Sequence, residues 1–300
     1  MTINYQQYLV EVEFERPVNF SAPPSFMFRS VIGKELRYLS CVLKTQRCPD
    51  CPLRGKCAYS VIFEIPIDKS NEYLTGRSNA TPPFVFNIDY NLRTGLQRME
   101  IVMTLIGKGI EYAPYMILAF VRAGQAGIHK ERVQYKLVNV LCNNVQIDLE
   151  SPRTQEIAPH AFTFDDIGDT AQREFRIKFL SPFRYKKGGN YTMDISFADV
   201  LTASARRLDC LSGFYGSGAR VKYNPSGAVI KTEGKLYWKD ESRYSARQQD
   251  KMMLGGVMGE IVVSGAITKQ EISFLRGAEL FNIGKNISFG LGNISVTEVI

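Results

Sequence analysis

The sequence predicts an α+β protein with two tandem ferredoxin-like (RRM-like) domains, each in the order β-α-β-β-α-β. The chain has 300 residues, enough for about two domains of ordinary size. Segments with a two-residue apolar period alternate with segments of helical period, and the same order of elements occurs twice. In each half a glycine-bearing turn separates the second helix from the last strand.

The first half begins with an alternating strand at Tyr8–Phe14. Apolar side chains from Ile32 to Leu43 then recur at i, i+4, i+7 and i+11, which predicts a helix within residues 26–44. The remaining elements predicted for this half are strands at Val61–Ile67, Phe84–Ile88 and Met99–Ile106, a helix at Tyr112–Arg122, a turn at Gly124–Lys130 and a strand at Val133–Val140.

The middle of the chain separates two domains. Residues 143–171 are rich in Asn, Asp, Pro and Thr without a sustained period, which predicts a linker between a domain at 1–142 and a domain at 172–300. The elements predicted after it are a strand at Phe175–Phe179, a basic turn at Pro182–Gly189, a helix at Phe197–Leu211, strands at Val229–Trp238 and Val257–Ser264, a helix at Lys269–Phe281 and a strand at Asn293–Val299.

Composition excludes several classes of protein. The chain is 45% hydrophobic and 22% charged, which is typical of folded domains and not of disorder. Its longest dense apolar run, Tyr115–Val121, has seven residues, far short of the roughly 20 that a membrane span needs. The N-terminus lacks a basic segment followed by an apolar one, so we expect a cytoplasmic protein.

Positive charge is concentrated in the second half. Lys and Arg number 37 against 30 Asp and Glu, and residues 171–300 hold 19 of the basic and 12 of the acidic residues. The whole excess of +7 therefore lies in the second domain. A basic domain is the expected electrostatic footprint of a protein that binds a polyanion. The alternative is a surface that is charged only for solubility.

Four of the six cysteines fall within seventeen positions in the pattern C-x6-C-x2-C-x5-C. Close thiols in a reducing compartment favour a metal over disulfides, so this cysteine-rich loop, 41–57, predicts a structural zinc site. An iron–sulfur cluster and unligated thiols are the alternatives. Cys142 and Cys210 lie in apolar segments and are expected in the core. The predicted ligands are Cys41, Cys48, Cys51 and Cys57.

A glycine-rich loop spans residues 284–292. It is neither a Rossmann fingerprint nor a P-loop, because it follows the last helix and lacks a terminal Gly-Lys-Ser/Thr. Gly284, Gly290 and Gly292 would let the backbone approach a phosphate, with Lys285 as a point charge. The alternative is a tight helix-to-strand connection that needs glycine only for its backbone angles.

Several separated motifs carry a family resemblance. They are the glycine-rich loop, the segment Arg243–Gln248 followed by Met253–Gly256, the helix end Cys210–Gly216, and Cys48–Cys57 leading into Phe63-Glu64. With these motifs the sequence resembles the CRISPR-associated endoribonucleases of the RAMP superfamily that process precursor CRISPR RNA. The likeness is to the Cas6 type, in the longer form associated with type III systems.

The resemblance implies metal-independent cleavage, without a catalytic cofactor, of a precursor CRISPR RNA repeat. A ribose 2′-hydroxyl would attack the adjacent phosphate, leaving a 2′,3′-cyclic phosphate and a 5′-hydroxyl. It also implies RNA binding by the glycine-rich loop. We further expect a monomer or homodimer that hands its product to a type III effector complex and has no membrane partner. Two alternatives stay open: a non-catalytic RNA-binding scaffold subunit, and a metal-dependent nuclease, which closed thiolate sites disfavour.

The resemblance implies a histidine on the first helix, yet residues 26–44 contain none. In a ferredoxin-like order the turn after the second helix lies at the sheet edge where the first helix begins, so His129 is the candidate acid or base. Arg29 or Lys34 would stabilise the phosphate, and Tyr38 is a further proton donor. The alternative for His129 is a loop residue that contacts RNA or nothing. His160, in the predicted linker, is the other histidine that could act, and without either histidine catalysis would depend on positioning by Lys, Arg and Tyr.

The RNA-binding candidates are basic residues of the second domain and residues of the glycine-rich loop, some of which are expected to be solvated surface charges. Trp238 and Phe289 are either base-stacking groups or core residues. The candidate set is Lys186, Lys187, Arg206, Arg207, Arg247, Gly284, Lys285, Ser288, Gly290 and Gly292.

Overall fold

A computed structural model describes residues 1–44, 47–65, 67, 80–150, 156–164, 170–225, 228–245 and 250–299. The chain forms two compact units. The N-terminal unit is Ile3–Ala161, and the C-terminal unit is Phe162–Ile300 together with Met1–Thr2. The division lies inside the segment 143–171, which also contains two short strands.

The N-terminal unit is built on a mainly antiparallel sheet in the order β2-β3-β1-β4-β5, with β6 paired to β1 off this path. The first four strands have the ferredoxin-like order, as predicted. The elements are β1 (Thr2–Val18), α1 (Pro24–Ser40), α2 (Ala58–Phe63), β2 (Phe84–Asn87), β3 (Leu96–Ile106), α3 (Ala113–Ala126), β4 (Tyr135–Cys142), β5 (Val145–Gln146) and β6 (His160–Thr163).

The core of this unit forms because β1 alternates. Val10 and Val12 are fully buried, and the apolar faces of α1 and α3 add Phe28 and Phe120, whose ring centroids are 6.2 Å apart. Antiparallel pairing of Phe14 with Tyr135 brings the end of β1 beside the start of β4. The beginning of α1 and the end of α3 consequently lie at one edge of the sheet, and the end of α1 lies at the other.

The strand predicted at Val61–Ile67 is wrong over its first part, because residues 58–63 form the short helix α2. The buried residues Ala58, Val61 and Ile62 follow the helical period, and α2 packs against α1. A Cβ at Gly33 would lie 3.1 Å from the Phe63 ring, so the two helices approach closely at this glycine.

The C-terminal unit repeats the ferredoxin-like order in a four-stranded antiparallel sheet, β10-β13-β7-β14. Two hairpins, β8–β9 and β11–β12, are attached to it. The elements are β7 (Thr170–Phe183), β8 (Lys186–Lys187), β9 (Asn190–Tyr191), α4 (Phe197–Tyr215), β10 (Lys231–Lys239), β11 (Ser242–Ser245), β12 (Asp250–Met253), β13 (Gly256–Thr268), α5 (Lys269–Phe281) and β14 (Ile294–Glu298).

Both long helices of this unit begin at capping boxes. Ser196 and Asp199 exchange hydrogen bonds at the start of α4, and Thr268 and Glu271 do the same at the start of α5. The Glu279 carboxylate of α5 accepts the backbone N–H of Val296 at 2.7 Å, which satisfies a donor on the edge strand β14.

The antiparallel order gathers several segments at one edge of this sheet, here called the loop edge. It consists of the end of β7, the hairpin β8–β9, the end of β10, the start of β13 and the glycine-rich loop 284–292. Two units with ferredoxin-like order confirm the predicted fold class, whereas the cysteine-rich loop as an insertion stays a prediction. Within the part of the chain that the structure describes, no helix has the length and hydropathy of a membrane span.

Candidate functional site

Arg184, which directly follows β7, joins the segments of the loop edge. The residue is only 5% exposed. Its Nε donates to Oδ1 of Asn286 at 3.2 Å, and its Nη1 donates to the carbonyl oxygen of Gly255. Its own carbonyl oxygen accepts the backbone N–H of Lys285 at 3.0 Å. One buried guanidinium therefore ties the glycine-rich loop to the start of β13.

The glycine-rich loop is a tight connection, one of the two alternatives that its sequence leaves open. Gly292 has φ +70°, and its N–H donates to the carbonyl oxygen of Pro182 at 3.1 Å. A Cβ at this position would overlap the carbonyl oxygen of Ile283. Gly284 and Gly290 also have positive φ. This packing leaves the Lys285 side chain exposed at the loop edge and is compatible with phosphate binding there.

Ser288 and Phe289 are buried in the same loop. Phe289 is 9% exposed, which agrees with the core alternative for its ring. Ser288 is 7% exposed, so its side chain offers little surface to a ligand. Within this loop the exposed cation is the feature that best fits contact with a polyanion.

An aromatic residue surrounded by cations lies on the hairpin β8–β9. Tyr191 is 40% exposed. The Arg184 Cζ lies 4.3 Å from the Tyr191 ring centroid, and Nζ of the exposed Lys186 lies 4.8 Å from it. The Trp238 ring centroid is 6.5 Å away at an interplanar angle of 56°. Trp238 is partly exposed on the edge strand β10 and is not a buried core residue.

The neighbouring Lys187 is engaged by carboxylates. Its Nζ lies 2.8 Å from Oδ2 of Asp199 and 3.2 Å from Oδ2 of Asp194. The hydrogen bond to Asp199 contributes most to the raised pKa of Lys187. This lysine fixes the hairpin to the start of α4, so less of its charge is available to a ligand than that of Lys186.

The adjacent arginines of α4 differ in environment. Arg206 is exposed, whereas Arg207 is 6% exposed, and its Nε donates to the carbonyl oxygen of Phe281 at 3.1 Å. Burial lowers the pKa of Arg207 to about 10. The prediction that Arg207 contacts RNA is corrected, because successive helical residues are about 100° apart and this one faces α5. Arg247 lies outside the described residues.

In the N-terminal unit, Tyr38 lies near the end of α1 and is 61% exposed. The Arg122 Cζ lies 4.4 Å from its ring centroid and the Lys44 Nζ lies 5.7 Å from it. Nε of Arg122 donates to Oε2 of Glu35 at 3.3 Å, and the Glu35 side chain is 7% exposed. A buried carboxylate thus holds the guanidinium of α3 against an exposed phenol of α1.

Arg29 lies on the other side of α1. Its Cζ is 5.3 Å from the Phe63 ring centroid of α2. Tyr38 is nine positions after Arg29, which is two and a half helical turns and about 13 Å along the axis. The two side chains therefore project from opposite sides of α1. Lys34 is exposed one turn before Tyr38 and shares its side of the helix. The structure groups Lys34 with Tyr38 and places Arg29 apart from them.

His129 is in the loop between α3 and β4, with φ +67°, and its carbonyl oxygen accepts the N–H of Arg132 at 3.2 Å. An ion pair of 3.0 Å between Arg16 and Glu131 holds this loop beside the end of β1. His129 is therefore at the sheet edge where α1 begins, as its position in the sequence predicts. Tyr38 is near the other end of α1, and Arg29 and Tyr38 lie on opposite sides of that helix.

Cys41, Cys48, Cys51 and Cys57 lie in the segment that joins α1 to α2. Cys41 follows the last residue of α1, and Cys57 precedes the first residue of α2. The two helix ends are joined because the Tyr59 N–H donates to Oγ of Ser40 at 3.2 Å. Burial raises the pKa of the Cys48 thiol, Arg37 opposes the shift, and Glu64, Cys41 and Cys57 add to it.

All six cysteines are free thiols; Cys142 is buried, and Cys210 is partly buried. Cys41, Cys48, Cys51 and Cys57 are partly exposed. Within the described ranges, no group of three or more His, Cys, Asp or Glu side chains is arranged to hold a metal ion.

Two features of these sites were missed by sequence reasoning. Arg184 and Tyr191 flank a basic Gly-Gly turn, and such a turn is a hairpin signal that indicates their proximity. The contacts of Arg122 with Glu35 and Tyr38 join two helices far apart in sequence. No local pattern indicates such a pair.

Each of the two units contains a match to a different family model. Residues 3–161 match the family model AF_1859_N, described as an N-terminal domain. Residues 177–294 match the model described as CRISPR-associated endoribonuclease Cas6. No curated protein matches the chain.

Solved structures with the same fold include two Cas6 product complexes. One has a TM-score of 0.54 and 13% identity, covering 98% of this chain and 100% of the other. The second has a TM-score of 0.50 and 15% identity, covering 99% of this chain and 100% of the other. A partial Cas6-RT-Cas1–Cas2 complex matches with a TM-score of 0.57 and 12% identity. The match covers 99% of this chain and 46% of the other, longer chain.

Proposed function

We propose that this chain, whose residues 177–294 match the CRISPR-associated endoribonuclease Cas6 family model, cleaves precursor CRISPR RNA within its repeats and does so without a metal ion. The observation that carries the proposal is the loop edge of its Cas6 domain. There the glycine-rich loop, the buried Arg184 and the exposed Lys186 and Lys285 meet within residues 171–300, the part of the sequence that contains the whole excess of positive charge. This arrangement suits a phosphate backbone.

The reaction is an intramolecular transesterification. The 2′-hydroxyl oxygen bonds to the adjacent phosphorus, and the bond from phosphorus to the 5′-oxygen breaks. A base removes the 2′-hydroxyl proton, and an acid supplies a proton to the departing oxygen. The products are a 2′,3′-cyclic phosphate and a 5′-hydroxyl. Cations near the phosphate stabilise the charge of the transition state.

Tyr38 is our first candidate for the proton donor, because it is exposed and has two cations beside its ring. Arg122 and Lys44 lie within 6 Å of the ring centroid, and Lys34 lies one turn away on the same helix. They would stabilise phosphate charge. His129 and Arg29 form a separate proposal at the beginning of α1, with His129 as acid or base.

The proposal is tested with repeat RNA from the host's own CRISPR array, in chelator, using the wild type and the variants Tyr38→Phe and His129→Ala. A second RNA carries a 2′-deoxy substitution at the cut site. We expect cleavage of the ribose substrate only, with a rate loss of about 100-fold for the variant that lacks the acid or base. Binding without cleavage of either RNA would instead identify a non-catalytic RNA-holding subunit.

We also propose that the cysteines at the junction of α1 and α2 hold a structural zinc ion. The four thiols lie within seventeen positions of the sequence, and Cys41 and Cys57 flank the helix ends that the hydrogen bond from Tyr59 to Ser40 joins. Zinc would fix α1, which carries Tyr38, without entering the chemistry. An iron–sulfur cluster is the alternative, and visible absorption distinguishes the two.

We also propose a location, an oligomeric state and a recipient of the product. We place the enzyme in the cytoplasm, as a monomer or homodimer that hands its cleaved RNA to a type III effector complex. Size-exclusion chromatography with light scattering measures the oligomeric state. Pull-down of effector subunits with and without bound RNA tests the hand-over.

A further inference from the structure

Tyr191 has a partly exposed ring with two cations beside it. It ends the two-stranded hairpin β8–β9, and 40% of its surface is exposed although two cations lie against the ring. The Arg184 guanidinium is fixed by Asn286 and Gly255, so one of those cations is held in place before any ligand arrives. The ring is therefore supported from the protein side while much of it faces solvent.

The neighbouring indole is also held in a defined orientation. Nε1 of Trp238 donates to Oδ1 of Asp240 at 2.7 Å, so its hydrogen-bonding group is already satisfied and the ring faces remain for stacking. A Cβ at residue 255 would lie 2.5 Å from the Asp240 oxygen and 2.7 Å from the indole nitrogen. Glycine at this position allows the Trp238–Asp240 pair to form.

Charge around the two rings fits a nucleotide. Lys186 is exposed beside Tyr191, and Lys285 is exposed on the glycine-rich loop that Arg184 holds at the same edge. Stacking on an aromatic ring suits any nucleobase, and nearby lysines suit the phosphates on either side of it.

We propose that Tyr191 and Trp238, with Arg184 fixed against the tyrosine ring, form a subsite that stacks one unpaired nucleobase of the RNA. This proposal rests on the proposed function, because it assumes that the loop edge binds the substrate. Lys186 and Lys285 contact the flanking phosphates. The subsite reads RNA as a single strand and adds affinity for a nucleotide outside any paired stem.

Trp238 makes the test direct, because it is the single tryptophan of the chain. Repeat RNA with a 2′-deoxy substitution at the cut site is titrated into the full-length protein while tryptophan fluorescence is recorded. We expect quenching in the wild type. Tyr191→Leu should reduce the quenching and weaken RNA binding about tenfold or more, as expected for loss of one stacked base. Tyr191→Phe should restore both.

The matched control is Tyr237→Leu, since Tyr237 is 54% exposed on the same strand but points to the opposite face of the sheet from Trp238. It should leave affinity within about twofold of wild type. Equal weakening by both leucine variants, or wild-type affinity in Tyr191→Leu, would overturn the subsite. If either result is found and Tyr191→Leu still cleaves the ribose RNA, the subsite is wrong but the proposed function stands. Absence of both binding and cleavage in the wild type contradicts the function itself.

Discussion

Replacing Gly292 by alanine is expected to destabilise the C-terminal unit more than a left-handed backbone alone would. Gly292 has φ +70°, a conformation that costs a residue with a side chain about 1–2 kcal/mol. The added Cβ would also overlap the carbonyl oxygen of Ile283. Relieving that overlap disturbs two backbone hydrogen bonds, from Gly292 to Pro182 at 3.1 Å and from Ile283 to Gly292 at 3.0 Å. Each contributes about 1 kcal/mol, so the expected loss is about 3–4 kcal/mol.

Gly188→Ala is the matched control. Gly188 also has positive φ, +56°, but a Cβ there meets no atom within 4 Å. Its expected loss is the backbone cost alone, about 1–2 kcal/mol. Urea unfolding followed by Trp238 fluorescence reports on the C-terminal unit, because the single tryptophan lies in its sheet. Equal losses in the two variants would refute the argument that the loop is shaped by contact with Ile283.

Three further predictions concern charge and metal. Burial raises the pKa of Asp199, but hydrogen bonds from Lys187 and Ser196 outweigh this effect and leave the pKa below its usual value. The ionised Asp199 therefore stabilises the folded protein fully above about pH 4, and this contribution is lost as the pH falls through the lowered pKa. Asp199→Asn should thus lose about 1 kcal/mol of unfolding free energy at pH 7 and match the wild type in strong acid. Glu35→Ala removes the carboxylate partner of the partly exposed Arg122 guanidinium and should lower the free energy of unfolding by about 2 kcal/mol. Glu13→Ala removes the centre of a largely exposed ion-pair cluster and should cost less, with both variants measured by urea unfolding. Elemental analysis should find one zinc ion per chain in the wild type and none after replacement of Cys48 and Cys51 by serine. Wild-type protein without bound metal would contradict the zinc proposal.

Most of the fold could be predicted because burial follows sequence period. β1 alternates between buried and partly exposed residues, and α5 spans Lys269–Phe281 as its apolar spacing predicts. The short helix α2 differs from the predicted strand because the apolar period of a six-residue element does not distinguish a helix from a strand.

The site was less predictable, because its side chains are arranged by tertiary packing. The rotation of α4 against α5 decides that Arg206 is exposed while Arg207 bonds to Phe281. The meeting of Arg122 with Tyr38 depends on how α3 packs against α1. Local spacing indicates which face of a helix is apolar, but not which distant residue lies against its polar face.

The central claim is cleavage by the RNA's own 2′-hydroxyl, and the mass of the cleaved repeat RNA tests it most directly. The wild-type protein is incubated with its repeat RNA in chelator, and both fragments are weighed by mass spectrometry. We predict an upstream fragment ending in a 2′,3′-cyclic phosphate and a downstream fragment beginning with a 5′-hydroxyl. An upstream 3′-hydroxyl with a downstream 5′-phosphate, or cleavage that requires added metal, would contradict it.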